Sequence, residues 1–173
     1  MVGQPSRFFN NGAGERGYAA RMELAQALER GVSVHDPGLT DPDTALAAMA
    51  RAASPELGID VQTLHEALRR RERILPTALP EGIAFPHVIL PGIRRTLVVP
   101  MSTPAGVQIA ANEPPSTLII GLFAGPGHPN QHLRLLSRLA RIANDPESLR
   151  LLRAAPNADE LVHAMLELDA QHA

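Results

Sequence analysis

The sequence has no cysteine, one tyrosine and four phenylalanines as its only aromatic residues, almost no net charge, and no long apolar run. Without cysteine, disulfide cross-links and thiolate chemistry are excluded, and any metal would have to be held by histidines and carboxylates. With so few aromatic rings, alanine and leucine must fill the core, which predicts a helix-rich chain. Sixteen basic side chains against eighteen acidic ones give a formal charge of −2. That balance argues against a nucleic-acid partner, because binding polyphosphate needs clustered, uncompensated Lys and Arg. No apolar stretch reaches the roughly 18 residues of a membrane span, and the N-terminus lacks an apolar signal core. These features predict a cytoplasmic protein that is not embedded in a membrane.

What is present is a chain of 173 residues, 45% of them hydrophobic and 20% charged, which is enough for one domain with a substantial core. Residues 1–20 show no apolar periodicity and read as an irregular leader, residues 21–169 as one domain, and 170–173 as a C-terminal tail. Met22, Ala25 and Leu28 suggest a short amphipathic helix, followed by an edge strand within Val32 to Gly38. Asp41-Pro42 reads as a helix entry, with Leu46, Met49, Ala50 and Ala53 inward and Pro55 with Gly58 as the stop. Asp60 caps a helix that turns Val61, Leu64 and Leu68 to the core and ends in Arg69 to Arg73.

The period then changes. Ile83 to Phe85, Leu97 to Val99 and Leu118 to Phe123 are short apolar runs bounded by Pro and Gly, as strands are, and the last reads as central. After a turn over Gly125 to Pro129, Asn130 is expected to cap a helix with Leu133, Leu136, Leu139, Ala140 and Ala143 as its apolar stripe. Arg134, Arg138 and Arg141 would line another face. Two further helices start at Asp145-Pro146 and at Asn157, the last with Leu161, Met165 and Leu168 inward. The whole predicts an α/β (α+β) fold, a three-layer α/β/α sandwich with a small mixed β-sheet flanked by helices.

Chemistry concentrates near histidines. The strand, glycine turn and helix start over 118–133 can present free N–H groups to an anion, with His132 in the first turn. No Gly-Lys-Ser/Thr ending follows, so this is not a nucleotide loop. A metal site built on His128 and His132 with Glu81 or His87 is disfavoured, because Pro129 separates the two histidines from a shared helical face. No metal and no cofactor are expected.

The segment from Arg71-Glu72-Arg73 through Thr77 and Glu81 to Gly82-Ile83-Ala84-Phe85-Pro86-His87 resembles the active-site stretch of phosphotransferase-system enzyme IIA proteins of the mannitol/fructose/nitrogen type. A family histidine in a His-Leu step that opens a helix corresponds to His132-Leu133. The resemblance implies phosphoryl transfer on His87, with Arg71 and His132 as donors to the phosphoryl oxygens and Glu81 orienting Arg71 or His132. It implies HPr or a nitrogen-branch homologue as donor and an enzyme IIB or a regulated protein as acceptor. A neutral imidazole suits that role: it is nucleophilic near an unperturbed pKa of about 6.5 and forms a labile phosphoramidate. Most members of that family have Gly after the histidine, whereas here Val88, Ile89 and Leu90 follow, which would form an apolar docking lip. The alternative function is an interaction module of the same shape that binds a transporter or regulator without phosphoryl transfer.

Overall fold

The computed structural model describes residues 24–28, 32–127 and 129–171. The leader at 1–20, Met22 and His128 lie outside them. Helical residues 24–27 (α1) precede β1 (Val34–His35), α2 (Pro42–Leu57), α3 (Val61–Ile74), β2 (Ala78–Leu79), β3 (Ile83–Ala84) and β4 (His87–Ile89). Then come β5 (Leu97–Val107), β6 (Ser116–Ala124), α4 (Pro129–Ala143), α5 (Pro146–Arg153) and α6 (Ala158–Gln171). Residues 170 and 171, expected in a tail, thus belong to the last helix.

The sheet is mixed, ordered β1-β5-β6-β3-β2, with β4 also on β6. The β5–β6 hairpin is antiparallel, and β1 lies parallel to β5 at the edge. Both β3 and β4 run parallel to β6, pairing Ile83 with Leu118 and His87 with Leu122. They are successive pieces of one line, interrupted at Phe85-Pro86, where the Leu122 N–H donates to the Pro86 carbonyl at 2.9 Å. Proline offers no N–H to a ladder, so the line breaks there and restarts at His87.

Two apolar layers enclose the sheet. One face carries Leu24, Leu28, Leu135, Leu139, Leu152, Met165 and their neighbours from α1 and α4–α6. The other carries Met49, Ala53, Leu64 and Leu68 from α2–α3 against Val99, Met101 and Phe123. This is the expected three-layer sandwich.

Most helix signals hold, because they are local chemistry. The carboxylates of Asp41, Asp60 and Asp145 accept from the backbone N–H groups of Thr44, Thr63 and Ser148, and Asn157 accepts from Glu160. Each satisfies a donor the helix cannot. Five readings are corrected. Ala25 is exposed, and Leu24, Ala27 and Leu28 face the core. Pro55 does not stop α2; it sits in the last turn, and the stop is Gly58 at φ 64°, whose N–H bonds to Ser54 O. A proline so close to a helix end forfeits a single donation, whereas the left-handed cap suits glycine. Asn130 lies inside α4, which begins at Pro129. The apolar stripe of α4 is Leu135, Leu139, Ile142 and Ala143, with Leu136 and Ala140 half-buried and Leu133 exposed. Arg138 points inward because Asp169 of α6 meets it, Nε to Oδ1 2.6 Å, and both are buried. A paired buried charge thus sets the rotation of a helix whose leucines suit two phases.

The apolar lip is also corrected. Val88 is only 5% exposed and packs into the layer of Phe123 and Leu97, while Ile89 is 48% exposed and Leu90 half-buried. Strand alternation explains the split: in β4 successive side chains point to opposite faces. Val88→Gly is therefore expected to destabilise the domain by about 2–4 kcal/mol through a core cavity and added chain freedom, read as a lowered urea midpoint.

Candidate active site

The line break at Pro86 puts His87 where three elements meet: the first residue of β4, the last turn of α3 and the start of α4. The His87 ring nitrogens have separate duties. Nδ1 lies 2.9 Å from the Phe85 carbonyl oxygen, an acceptor only, so Nδ1 carries the proton and donates. Nε2 therefore holds the lone pair. Arg71 addresses it twice, from Nε at 3.2 Å and Nη2 at 3.1 Å. The remaining arm of the guanidinium, Nη1, donates to Leu75 O at 2.7 Å. That carbonyl follows the end of α3, so the helix terminus itself aims the arginine.

His132 approaches from α4. Its ring centroid is 5.5 Å from that of His87 with the planes tilted by 58°. It is buried, and its Nδ1 has no hydrogen-bond partner among the described residues. Burial, and then the neighbouring His87 ring, hold His132 below the usual histidine pKa range. Because its folded pKa is depressed, its contribution to stability is present above the unfolded value of about 6.5 and is lost as pH falls below it. His132→Asn is expected to flatten the fall in the urea midpoint on going from about pH 7 to pH 5.

Glu81 is not brought to this cluster. It sits in the β2–β3 turn with an exposed side chain, and its backbone carbonyl accepts from Arg153 Nη2. Six residues of extended chain separate it from His87, about 20 Å along the sheet. Its expected role of orienting Arg71 or His132 is corrected accordingly.

Another carboxylate does organise the site. Glu72, buried on α3 beside Arg71, accepts from Thr77 twice, from the backbone N–H at 2.9 Å and from Oγ1 at 2.6 Å. Thr77 O in turn accepts from the Phe85 N–H at 3.3 Å, and Phe85 O is the carbonyl that fixes the His87 ring. One continuous series of bonds runs from the helix end through the loop to His87. The sequence carried a signal for this: Leu64, Leu68 and Glu72 recur at helical spacing, so a charge on the buried stripe needs an internal partner. The carbonyls of Leu75 and Phe85 carried none, since backbone roles leave no trace in residue identity. Glu72→Ala leaves two half-buried Thr77 donors without their carboxylate and is expected to cost about 1–2 kcal/mol, seen as a lower unfolding midpoint, with Glu72→Gln recovering part.

A half-buried imidazole whose Nδ1–H is held by a fixed carbonyl and whose Nε2 lone pair faces a guanidinium, with a second imidazole beside it, is an arrangement that can accept a phosphoryl group. Comparison agrees in class: residues 28–167 match the family described as phosphoenolpyruvate-dependent sugar phosphotransferase system, EIIA 2, and the chain belongs to that family, a phosphoryl-transfer component. Within it, the chain is similar to the nitrogen regulatory protein of Klebsiella oxytoca, 31% identical over 84% of this chain and 91% of that one. The nitrogen regulatory protein of Bradyrhizobium diazoefficiens is 29% identical over 72% of this chain and 81% of that one. Among solved structures, nitrogen regulatory protein IIA-Ntr from Neisseria meningitidis superposes with a TM-score of 0.76 at 22% identity, over 82% of this chain and 98% of that one. The complex of enzyme IIA mannitol with phosphorylated enzyme IIB mannitol from Escherichia coli contains the same fold, with a TM-score of 0.66 at 19% identity over 81% and 99%. No helix among the described residues is long and apolar enough to cross a membrane.

Proposed function

We propose that the chain is a histidine phosphocarrier whose His87 Nε2 takes a phosphoryl group from a phosphohistidine on HPr or a nitrogen-branch homologue and passes it to an enzyme IIB or a regulated protein. The observation that carries this reading is the Nδ1–H to Phe85 O bond, which leaves Nε2 unprotonated and turned to Arg71. In the forward step the Nε2 lone pair forms a new P–N bond as the donor's P–N bond breaks. The bond pair stays on the donor imidazole. The His87 ring keeps its Nδ1 proton and becomes formally cationic, a charge the Phe85 carbonyl dipole favours.

Arg71 relinquishes Nε2 as the phosphoryl group arrives and offers the same N–H groups to its oxygens, where charge is spread in the transition state. The Leu75 carbonyl holds the arginine during the exchange. His132 acts as a neutral donor: with its orphaned Nδ1 as the bare nitrogen, its proton is on Nε2 and available to the same oxygens. Replacing a neutral ring by an anionic one would also change how this face binds proteins, which gives phosphorylation a regulatory use. The match to nitrogen regulatory proteins over most of the chain favours that use.

The test is intact-mass analysis after incubation with phosphoenolpyruvate, enzyme I and either donor protein, followed by fragmentation. An acid-labile gain of about 80 Da on His87, as the Nε2 isomer, is expected. No gain from either donor, or a label on another side chain, would overturn the reading.

A further inference from the structure

The end of the sheet away from His87 holds a cavity of about 330 Å³ lined by Ser102, Pro104, Pro115, Thr117 and Arg153. Ser102 faces Leu118 in the β5–β6 register, and His87 faces Leu122. Four residues of β6, about 13 Å, therefore separate the two places, and the chemistry at His87 makes no use of this cavity. Its volume lies at the lower end of the range that takes small organic ligands.

Arg153, the last residue of α5, is held in the cavity wall by three acceptors. Its Nε donates to Thr117 Oγ1 at 2.9 Å, and Nη2 donates to the carbonyls of Glu81 and Gly82, the latter at 3.4 Å. Gly82, at φ 71°, permits this closeness, since a Cβ there would stand 3.2 Å from Arg153 Nη2 and 3.3 Å from the Pro115 carbonyl oxygen. Nη1 has no acceptor among the described residues, and no carboxylate among them pairs with the guanidinium. The side chain is already ordered, so the entropic cost of fixing it is met before a ligand arrives, and two N–H donors remain to offer.

The strand side of the cavity is polar and unmet. Ser102 is 2% exposed, and its hydroxyl has no partner among the described residues. In the β1–β5 register it stands opposite His35, whose Nδ1 is buried and equally without a partner. Register partners project from the same face of a sheet, so the two unmet groups lie side by side. Buried polar groups are nearly always bonded to protein, water or ligand, and a pair left open beside a cavity marks a place for an outside polar group. The surrounding charge limits what that group carries. Glu81 in the β2–β3 turn, Glu113 two residues before Pro115, and Asp159 and Glu160 at the start of α6 offset much of the field of Arg153. One negative charge suits this balance better than the two of a phosphate.

We propose that this cavity binds a small organic monocarboxylate with a short apolar body and a hydroxyl or keto oxygen beside its carboxylate. The carboxylate lies on Arg153 Nη1, the second oxygen meets Ser102 and His35, and the body rests on Pro104 and Pro115. The proposal stands apart from the phosphocarrier reading, because nothing in it requires His87 to react.

The experiment is a titration of the isotope-labelled full chain, followed by amide and arginine Nε–H shifts. The probes are 2-hydroxyisovalerate, its uncharged amide 2-hydroxyisovaleramide, and inorganic phosphate. The hydroxy acid is expected to move residues 102–104, 115–117 and the Arg153 Nε–H with half-saturation at about 1 mM. The amide and phosphate should each bind at least about tenfold more weakly, as should the hydroxy acid on Arg153→Gln. Ser102→Ala, which keeps the charge, should weaken the hydroxy acid about fivefold. Unchanged shifts in α2 and α3 show that each variant is folded, and the amide probe tests the role of charge without any variant. No saturable shift at these positions up to about 50 mM would overturn the proposal. So would an amide or phosphate that binds as tightly as the hydroxy acid, or an affinity unmoved by Arg153→Gln or by Ser102→Ala.

Discussion

A chain carrying His87→Ala is expected to gain no acid-labile phosphoryl group from any donor while remaining folded. The second half matters as much as the first. His87 is half-buried at the start of a three-residue strand, and its removal takes away bonds to Arg71 and Phe85 whose partners can turn to water. The unfolding midpoint should move by about 1 kcal/mol or less. Three of the other described histidines, His132, His65 and His163, are poorly placed to take over. His132 lacks a carbonyl to hold a ring proton, so a phosphorylated, cationic ring there would be desolvated with nothing to offset its charge. His65 lies on Asp43 at 3.0 Å, where an incoming phosphoryl group would meet a carboxylate. His163 lies 3.7 Å from Glu167 in the same unfavourable company. The measurement is intact mass with and without acid treatment, beside a urea titration. A persistent label on a folded His87→Ala chain would place the nucleophile elsewhere.

The elements that could be read from sequence were those written in local chemistry. Asp41-Pro42, Asp60, Asp145-Pro146 and Asn157 announced helix starts because a side-chain oxygen there meets backbone donors that no other group can satisfy. The centrality of 118–123 was legible because a strand covered on both faces must be apolar throughout. Rotation of α4 was not, because Leu133, Leu135, Leu136 and Leu139 offer two hydrophobic faces. The choice between them is made by Asp169, thirty-one residues away on another helix. Val88 shows a different limit. As the residue after His87 it read as part of a lip, but strand alternation sends it under the sheet, where it is buried and offers no docking surface.

At the site, the residue types were visible and their wiring was not. Arg71, His87 and His132 do converge, from three elements far apart in the chain. Glu81 and Glu72 are each placed by hydrogen bonds, and the motif offered both as acidic residues. Only burial separates the exposed turn residue from the one that ties the helix end to Thr77. Two of the groups that set the chemistry, the carbonyls of Leu75 and Phe85, are main chain. Any residue type could occupy those positions and supply the same oxygen, so they become visible only once the chain path is known.

Arg71→Ala is expected to slow transfer to His87 by about 30- to 150-fold, the net of two opposing effects. In the resting chain the arginine occupies the lone pair of Nε2, and its removal frees the nucleophile, a gain of about 1 kcal/mol for one modest hydrogen bond. In the transition state the same N–H groups face the phosphoryl oxygens, and losing a fixed donor there costs about 3–4 kcal/mol. The second effect is larger, so the net change is a loss, and it should fall on the rate of the transfer step rather than on donor affinity. Arg71→Lys should recover little. A lysine ammonium is one compact charge, and it cannot hold Leu75 O with one arm while presenting two N–H groups to the oxygens. Rapid-quench measurement of single-turnover transfer from phosphorylated HPr, as a function of donor concentration, separates the two quantities. A variant with unchanged maximal rate and weakened saturation would assign Arg71 to docking, and Arg71→Lys with near wild-type rate would show that its charge, and not the fork held by Leu75, is what the phosphoryl group requires.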